Sequence, residues 1–217
     1  MMTNLFSVFD PCTGILSMNW ISIMIYMWMF PKHFWFLKNK NIILINILLM
    51  KLHSELISLM KYKGMSLIMV SMFIMILFNN IMGLLPYIFT ASSHLVFSIS
   101  LALPMWMGFM IYGWVNNTNH MFTHLVPIGT PFILMPFMVL IETISNLIRP
   151  GSLAVRLTAN MIAGHLLMSL LGNNVTNITL MISCMILFII LMMFETAVAL
   201  IQSYVFMTLT NLYSSEV

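Results

Sequence analysis

Five ionisable side chains lie inside the longest apolar stretches of the chain, where such groups are costly and usually functional. They are Glu142, Arg149, Arg156, His165 and Glu195. Glutamate and histidine exchange protons when burial and neighbouring charges tune their pKa, whereas arginine stays protonated. These five side chains are therefore the candidate functional residues of the chain.

Most of these groups share one helical face. Polar or small side chains recur at steps of three or four residues, as they do along one side of an α-helix: Glu142, Ser145, Arg149, Ser152, Arg156, Asn160 and Ala163. His165 lies near this stripe. Because an otherwise apolar helix cannot expose such a stripe to lipid, the stripe must face protein or water.

Arg156 stands out within the stripe. No acidic residue lies three or four positions from it, so its charge has no partner on its own helix. One interpretation is that Arg156 awaits a carboxylate from another chain. The alternatives are a side chain that reaches the lipid headgroups and an internal ion pair with Glu195.

The composition indicates the environment of these groups. Of 217 residues, 61% are hydrophobic and only 6% charged, against roughly a quarter charged in a soluble domain. Too few charges are present to cover a water-soluble protein of this size. Two cysteines, Cys12 and Cys184, have no ligand-like spacing and predict neither a disulfide framework nor a metal site.

The apolar segments predict an all-α polytopic membrane protein of about five or six helices, since a span needs about 20 apolar residues. The predicted transmembrane segments are 15–30, 65–89 and 95–115, and residues 41–62 have the spacing of an amphipathic helix in the membrane interface. Residues 131–171 and 178–213 are too long for ordinary spans and predict a tilted or broken C-terminal hairpin, with Pro150 as a plausible kink. All of these form a single membrane domain.

Six of the eight basic residues lie in one stretch between two predicted spans: Lys32, Lys38, Lys40, Lys51, Lys61 and Lys63. Few stacking aromatics accompany them, which argues against nucleic acid as the partner. Lysine-rich loops remain on the side from which a membrane protein inserts. In a mitochondrion, this places the lysines in the matrix and the N-terminus toward the intermembrane space.

Several motifs resemble one family, the a subunits of mitochondrial F-type ATP synthases. The most specific are LAVRLTANMIAGHLL (153–167), PFMVLIETISNLIRPGSLAVR before it and ETAVALIQSYVFMTLTNLYSSEV at the end. ILFNNIMGLLPYIFT and the opening MMTNLFSVFDP, which resembles arthropod versions, extend the similarity over essentially the whole chain. One departure is Ile128, where the family pattern has a glutamine.

The resemblance implies roles for particular residues. Arg156 matches the arginine that attracts the carboxylate of a rotating c subunit and blocks proton leakage between two offset half-channels. His165 and Glu195 match the half-channel facing the intermembrane space, and Glu142 matches the matrix half-channel. Asn160 and Gln202 match polar neighbours of the arginine, and Glu216 is expected at the end of the matrix path.

The resemblance also implies the setting. The expected partners are the c-subunit ring, the peripheral stalk and small membrane subunits of ATP synthase, with lipid such as cardiolipin and a dimeric complex. The expected location is the mitochondrial inner membrane. No cofactor, no nucleic acid and no catalytic role are expected, because nucleotide chemistry belongs to other subunits.

An antiparallel hairpin offers a check on these roles, because facing positions share one pivot. Arg156 with Gln202, His165 with Glu195, and Glu142 with Glu216 all pivot near residue 179 or 180, so each couple is expected to meet. The competing hypotheses are a proton-coupled secondary transporter, another respiratory-chain membrane subunit and a purely structural anchor. A transporter predicts inverted repeats, which the sequence lacks, and an anchor does not explain the polar stripe.

Weaker signals remain beside the stripe. His120 and His124 have the spacing of helical metal ligands, but no third ligand is near, and they are expected to be a polar pair in the loop 116–130. Arg149, next to Pro150, is either functional or an anchor for the kink.

Overall fold

The computed structural model describes residues 5–12, 17–24, 26–27, 39–59, 64–126, 129–173 and 178–216. Within these ranges the chain is helical and forms no strand, which confirms the all-α class. The α-helices are α1 (Lys40–Leu59), α2 (Met65–Gly83), α3 (Leu95–Asn116), α4 (Thr118–His124), α5 (Met135–Asn173) and α6 (Ile178–Glu216). Short 3-10 helices cover Leu5–Phe9, Met18–Met24, Ala91–Ser93 and Phe132–Leu134.

The helices α1, α2, α3, α5 and α6 are each long and apolar enough to cross a bilayer. Their length and composition therefore confirm a polytopic membrane protein. The structure extends α1 over Lys40–Leu59, the segment that the sequence assigns to the interface. Length and composition alone do not separate a crossing helix from one lying in the interface, so the placement of α1 stays a prediction.

Of the predicted transmembrane segment 15–30, the structure describes residues 17–24, 26 and 27. The described part is a 3-10 helix over Met18–Met24, followed by a short helical stretch at Tyr26 and Met27. Trp20 packs edge-on against Phe89 at 5.6 Å between ring centroids, and the Ser22 hydroxyl donates to the Phe89 carbonyl over 3.3 Å. These contacts hold the segment against the turn that follows α2. The composition of a segment shows that it is apolar. It does not show which tertiary contacts determine the conformation of its backbone.

Some predictions fall outside the described residues. They concern Lys32, Lys38, Lys61, Lys63, Ile128 and the ends of the 15–30 and 41–62 segments.

The helix α2 ends at Gly83, and the sequence predicts a break near Gly83 and Pro86 at the end of the segment 65–89. The chain then turns through residues 84–94, where Tyr87 has a φ of 71°, and α3 begins at Leu95. Pro86 cannot continue the hydrogen-bond ladder of α2, which accounts for the position of this turn.

The core joins α2, α3, α5 and α6. Its centre is a cluster of side chains that are almost fully buried: Ile76, Phe97, Leu101, Ala102, Leu153, Ala154, Leu157 and Phe206. Leu56 of α1 packs in a second cluster with Met69, Phe109 and Met207. In lipid, helices associate through close packing rather than through burial of apolar surface. These clusters therefore fix the relative positions of α5 and α6.

The C-terminal hairpin contains two helices of 39 residues each. At a rise of 1.5 Å per residue, each is about 58 Å long, nearly double a hydrocarbon core of about 30 Å. The helix α5 continues through Pro150, so the helix does not end there. The tilt of the hairpin stays a prediction.

Candidate functional site

The long hairpin carries every candidate residue. Glu142, Arg149, Arg156, Asn160 and His165 lie on α5, and Glu195, Gln202 and Glu216 lie on α6. Contacts between the helices pair high numbers on one with low numbers on the other, as in an antiparallel arrangement: Arg149 with Glu216, Asn160 with Gln202 and Gly164 with Glu195. The hairpin therefore distributes the polar side chains along its length.

Arg156 lies on the exposed face of α5. Its neighbours Ala154 and Leu157 are fully buried in the core, which fixes the rotation of the helix and turns the guanidinium away from the bundle. Within the described part of the chain, Arg156 makes neither an ion pair nor a hydrogen bond. The internal pair with Glu195 that the sequence left open is therefore absent from these residues.

An amide pair lies one helical turn from Arg156. The Asn160 side chain donates a hydrogen bond to Gln202 Oε1 over 2.9 Å, and Gln202 is only 6% exposed. The pivot rule expected Gln202 to face Arg156, whereas its bonded partner is Asn160. The rule assumes straight, parallel helix axes in ideal register, whereas packed helices cross at an angle.

Glu195 approaches α5 where that helix has no side chain. Glu195 is 7% exposed, and its carboxylate occupies the space that a Cβ atom at position 164 would fill. Gly164 therefore permits a close approach that any larger residue would obstruct. The carboxylate consequently lies against the backbone immediately before His165.

His165 lies on the neighbouring side of this contact. Phe9 packs edge-on against its imidazole ring at 6.0 Å between centroids. Its Nε2 is buried and has no partner within the described residues, and no ion pair between His165 and Glu195 occurs among them. The structure thus brings the two groups to one region without a direct bond.

Arg149 joins the carboxylates at the far end of the hairpin. Its guanidinium forms an ion pair with Glu216, lies 3.5 Å from Glu142 Oε1 and sits 5.2 Å from the centroid of the Tyr213 ring. Glu142 and Glu216 therefore both contact the guanidinium of Arg149 and do not contact each other directly. The sequence left the role of Arg149 open, although the spacing from Glu142 to Arg149 is two helical turns, which places them on one face.

The histidine pair His120 and His124 lies on the short helix α4, where the sequence predicted a loop. Their ring centroids are 5.4 Å apart. Among the described residues, no group of three or more histidine, cysteine or acidic side chains could hold a metal ion. The pair therefore has no third ligand in this part of the chain.

Comparisons with known proteins identify the family of the chain. The profile of the family "ATP synthase A chain" matches residues 12–215. Proteins called ATP synthase subunit a are similar over the full length of both chains: that of Locusta migratoria is 56% identical, that of Drosophila melanogaster 56% and that of Anopheles quadrimaculatus 55%. The chain is therefore a membrane component of ATP synthase, distinct from the catalytic subunit, and it belongs to the ATP synthase A chain family.

Proposed function

We propose that the chain is the proton-conducting stator of the membrane sector, with two offset half-channels that exchange protons with the carboxylates of a ring of c subunits. The single observation that carries this proposal is the position of Arg156. It is exposed at the side of a packed hairpin and has no ion-pair partner among the described residues. A permanent cation in lipid-depth surroundings requires a negative partner.

The role of Arg156 follows from its charge. A deprotonated carboxylate on the ring is attracted to the guanidinium, whereas the membrane opposes a charged carboxylate anywhere else. Because arginine does not release its proton, protons cannot pass through it from one half-channel to the other. They must therefore bind to the ring and travel with it, which couples proton flow to rotation.

His165 and Glu195 form the entry side in this proposal. Their proximity, through the contact of Glu195 with Gly164, is the supporting geometry. Imidazole and carboxylate together can accept and donate a proton as one coupled unit. The hydrogen-bonded Asn160 and Gln202 lie between this region and Arg156 along the hairpin and supply polar surface for the transfer.

Glu142 and Glu216 form the exit side, joined by Arg149. A proton that crosses between the two sides releases roughly 2.3 kcal/mol per 100 mV of membrane potential. The ATP synthesis that this energy drives takes place in other subunits.

The same proposal assigns the location and the neighbours. The membrane is the mitochondrial inner membrane, with the N-terminus toward the intermembrane space and the lysine-rich segment and C-terminus in the matrix. The packing of Trp20 and Ser22 against the turn at Phe89 supports a common side for the N-terminal segment and this turn. The neighbours are the c-subunit ring, the peripheral stalk, small membrane subunits and lipid, within a dimeric complex.

The test replaces Arg156 in the assembled complex. Arg156→Ala is expected to lower ATP synthesis driven by a proton gradient at least about a hundredfold, because the charge that controls the ring carboxylate is lost. The control is Val155→Ala, since Val155 is adjacent and half exposed but apolar, and it should leave the rate nearly unchanged. A normal rate of ATP synthesis in the Arg156→Ala complex would refute the proposed role.

A further inference from the structure

The N-terminal segment contributes aromatic side chains to two histidines of the bundle. Phe9, at the end of the 3-10 helix Leu5–Phe9, lies edge-on to the His165 imidazole, with ring centroids 6.0 Å apart and an interplanar angle of 88°. Trp20, in the following 3-10 helix, lies 5.2 Å from the His94 ring, measured between centroids. In both histidines, Nε2 is buried and has no hydrogen-bond partner within the described residues. Each imidazole therefore depends on packing for part of its orientation.

The χ2 torsion of histidine does not by itself fix the ring. Torsions of this kind have broad, roughly two-fold preferences, so neighbouring atoms must select the orientation of the imidazole. Aromatic rings favour edge-on contacts with centroids about 4.5 to 7 Å apart, and the rings of Phe9 and His165 lie within this range. A ring in this position blocks rotation of the imidazole into the space that the ring occupies. The side chain of Phe9 is therefore suited to holding His165 in one orientation.

Phe9 lies next to a charged residue of the same segment. Asp10 follows it in the chain, is exposed, and accepts a hydrogen bond from the Cys12 N–H through Oδ1 over 3.2 Å. Because a carboxylate is costly within a bilayer, Asp10 is expected at the boundary with water. His165 is thus packed against a residue beside this boundary, from which protons enter in the proposed function.

Other contacts hold the N-terminal segment without the help of Phe9. Trp20 packs against Phe89, with ring centroids 5.6 Å apart, and the Ser22 hydroxyl donates a hydrogen bond to the Phe89 carbonyl over 3.3 Å. A replacement of Phe9 therefore removes one ring from His165 and leaves the attachment at Trp20 and Ser22 in place. The effect of such a variant is expected to be local.

We propose that the aromatic ring of Phe9 is a positioning element for His165, which makes the N-terminal segment part of the proton entry site. The inference rests on the proposed function, which assigns proton exchange to His165 and Glu195. By limiting rotation of the imidazole, Phe9 keeps its ring nitrogens in the direction from which they exchange protons with the carboxylate held against Gly164. The proton leaves one of these groups and binds to the other, and Phe9 itself takes no part in the transfer.

The first test measures ATP synthesis driven by a proton gradient, per assembled complex. Phe9→Ala and Phe9→Leu should both lower the rate at least about fivefold, because small misplacements of reacting groups are costly and leucine supplies apolar bulk without a ring. Phe9→Tyr keeps the ring and its edge-on contact, so it should retain at least about half of the parent rate. Phe6→Ala is the matched control, since Phe6 lies on the same 3-10 helix but is 67% exposed, and it should behave as the parent does.

The second test observes the imidazole directly. A density map of the assembled Phe9→Leu complex should show the His165 ring rotated from its position in the parent complex, or without defined density, while the Glu195 carboxylate stays against Gly164. In the Phe6→Ala complex, the ring should keep the parent position. A role of Phe9 in general stability alone would not move this one ring in a complex that is otherwise unchanged.

The outcomes distinguish this inference from the proposed function. If Phe9→Leu is as active as Phe9→Tyr, or if the imidazole keeps its parent position in the Phe9→Leu complex, the positioning role is refuted even where Arg156→Ala abolishes ATP synthesis. If Phe9→Ala does not assemble, the comparison of leucine with tyrosine decides. If Arg156→Ala leaves synthesis normal, the proposed function fails whatever the Phe9 variants show. A loss with leucine, recovery with tyrosine and a displaced imidazole together support the role of Phe9.

Discussion

At the scale of single residues, the contact between Gly164 and Glu195 is the most constrained feature of the site. The carboxylate lies where any side chain at position 164 would begin. The position of the Glu195 carboxylate therefore depends on the absence of a side chain at position 164. Sequence reasoning identified Glu195 and His165 from the cost of ionisable groups in lipid. It did not identify Gly164, because only the packing of the two helices reveals the close approach.

Gly164→Ala is expected to displace the Glu195 carboxylate and to lower proton-driven ATP synthesis at least about tenfold, since small misplacements of reacting groups are costly. Alanine favours helix over glycine by about 1 kcal/mol, so a weaker helix would not explain the loss. Gly172→Ala is the control on the same helix, because a Cβ atom there meets nothing within 4 Å. Equal rates of synthesis in the two variants would contradict the importance of this contact.

At the scale of elements, hydrophobic length and spacing predicted most of the helices but not their register. The ends of α3, Leu95 and Asn116, lie within a residue of the predicted limits, because an apolar run between polar turns leaves little freedom. Gln202 accepts a hydrogen bond from Asn160, one turn from Arg156, and Glu142 and Glu216 both contact Arg149. Such differences of about one turn depend on helix crossing and side-chain packing, which a one-dimensional pattern does not contain.

The helix α1 provides a prediction at this scale. If α1 lies in the interface, both of its ends are on the matrix side, because its polar residues then face water along the whole helix. Single cysteines at Lys40→Cys and Leu59→Cys, in a chain without the native cysteines, should both react with a membrane-impermeant thiol reagent from the matrix side alone. Reaction of the two positions from opposite sides would show that α1 crosses the membrane.

At the scale of the whole molecule, the packing of the bundle gives the two arginines different environments. The core formed by α2, α3, α5 and α6 buries one face of α5 and leaves Arg156 on another. Arg149, by contrast, is satisfied inside the chain. Arg149 therefore bonds to residues of its own chain, whereas Arg156 is exposed, and its proposed partner is a carboxylate of another chain. The sequence indicates this role, since Arg156 has no acid within helical reach.

The most direct measurement of this account is a density map of the assembled complex that resolves Arg156. The account predicts that the guanidinium faces a carboxylate of the c-subunit ring at a separation of about 4 to 6 Å, the range over which opposite charges strongly affect each other. A guanidinium bonded to Glu195, or one that reaches the lipid headgroups away from the ring, would contradict it.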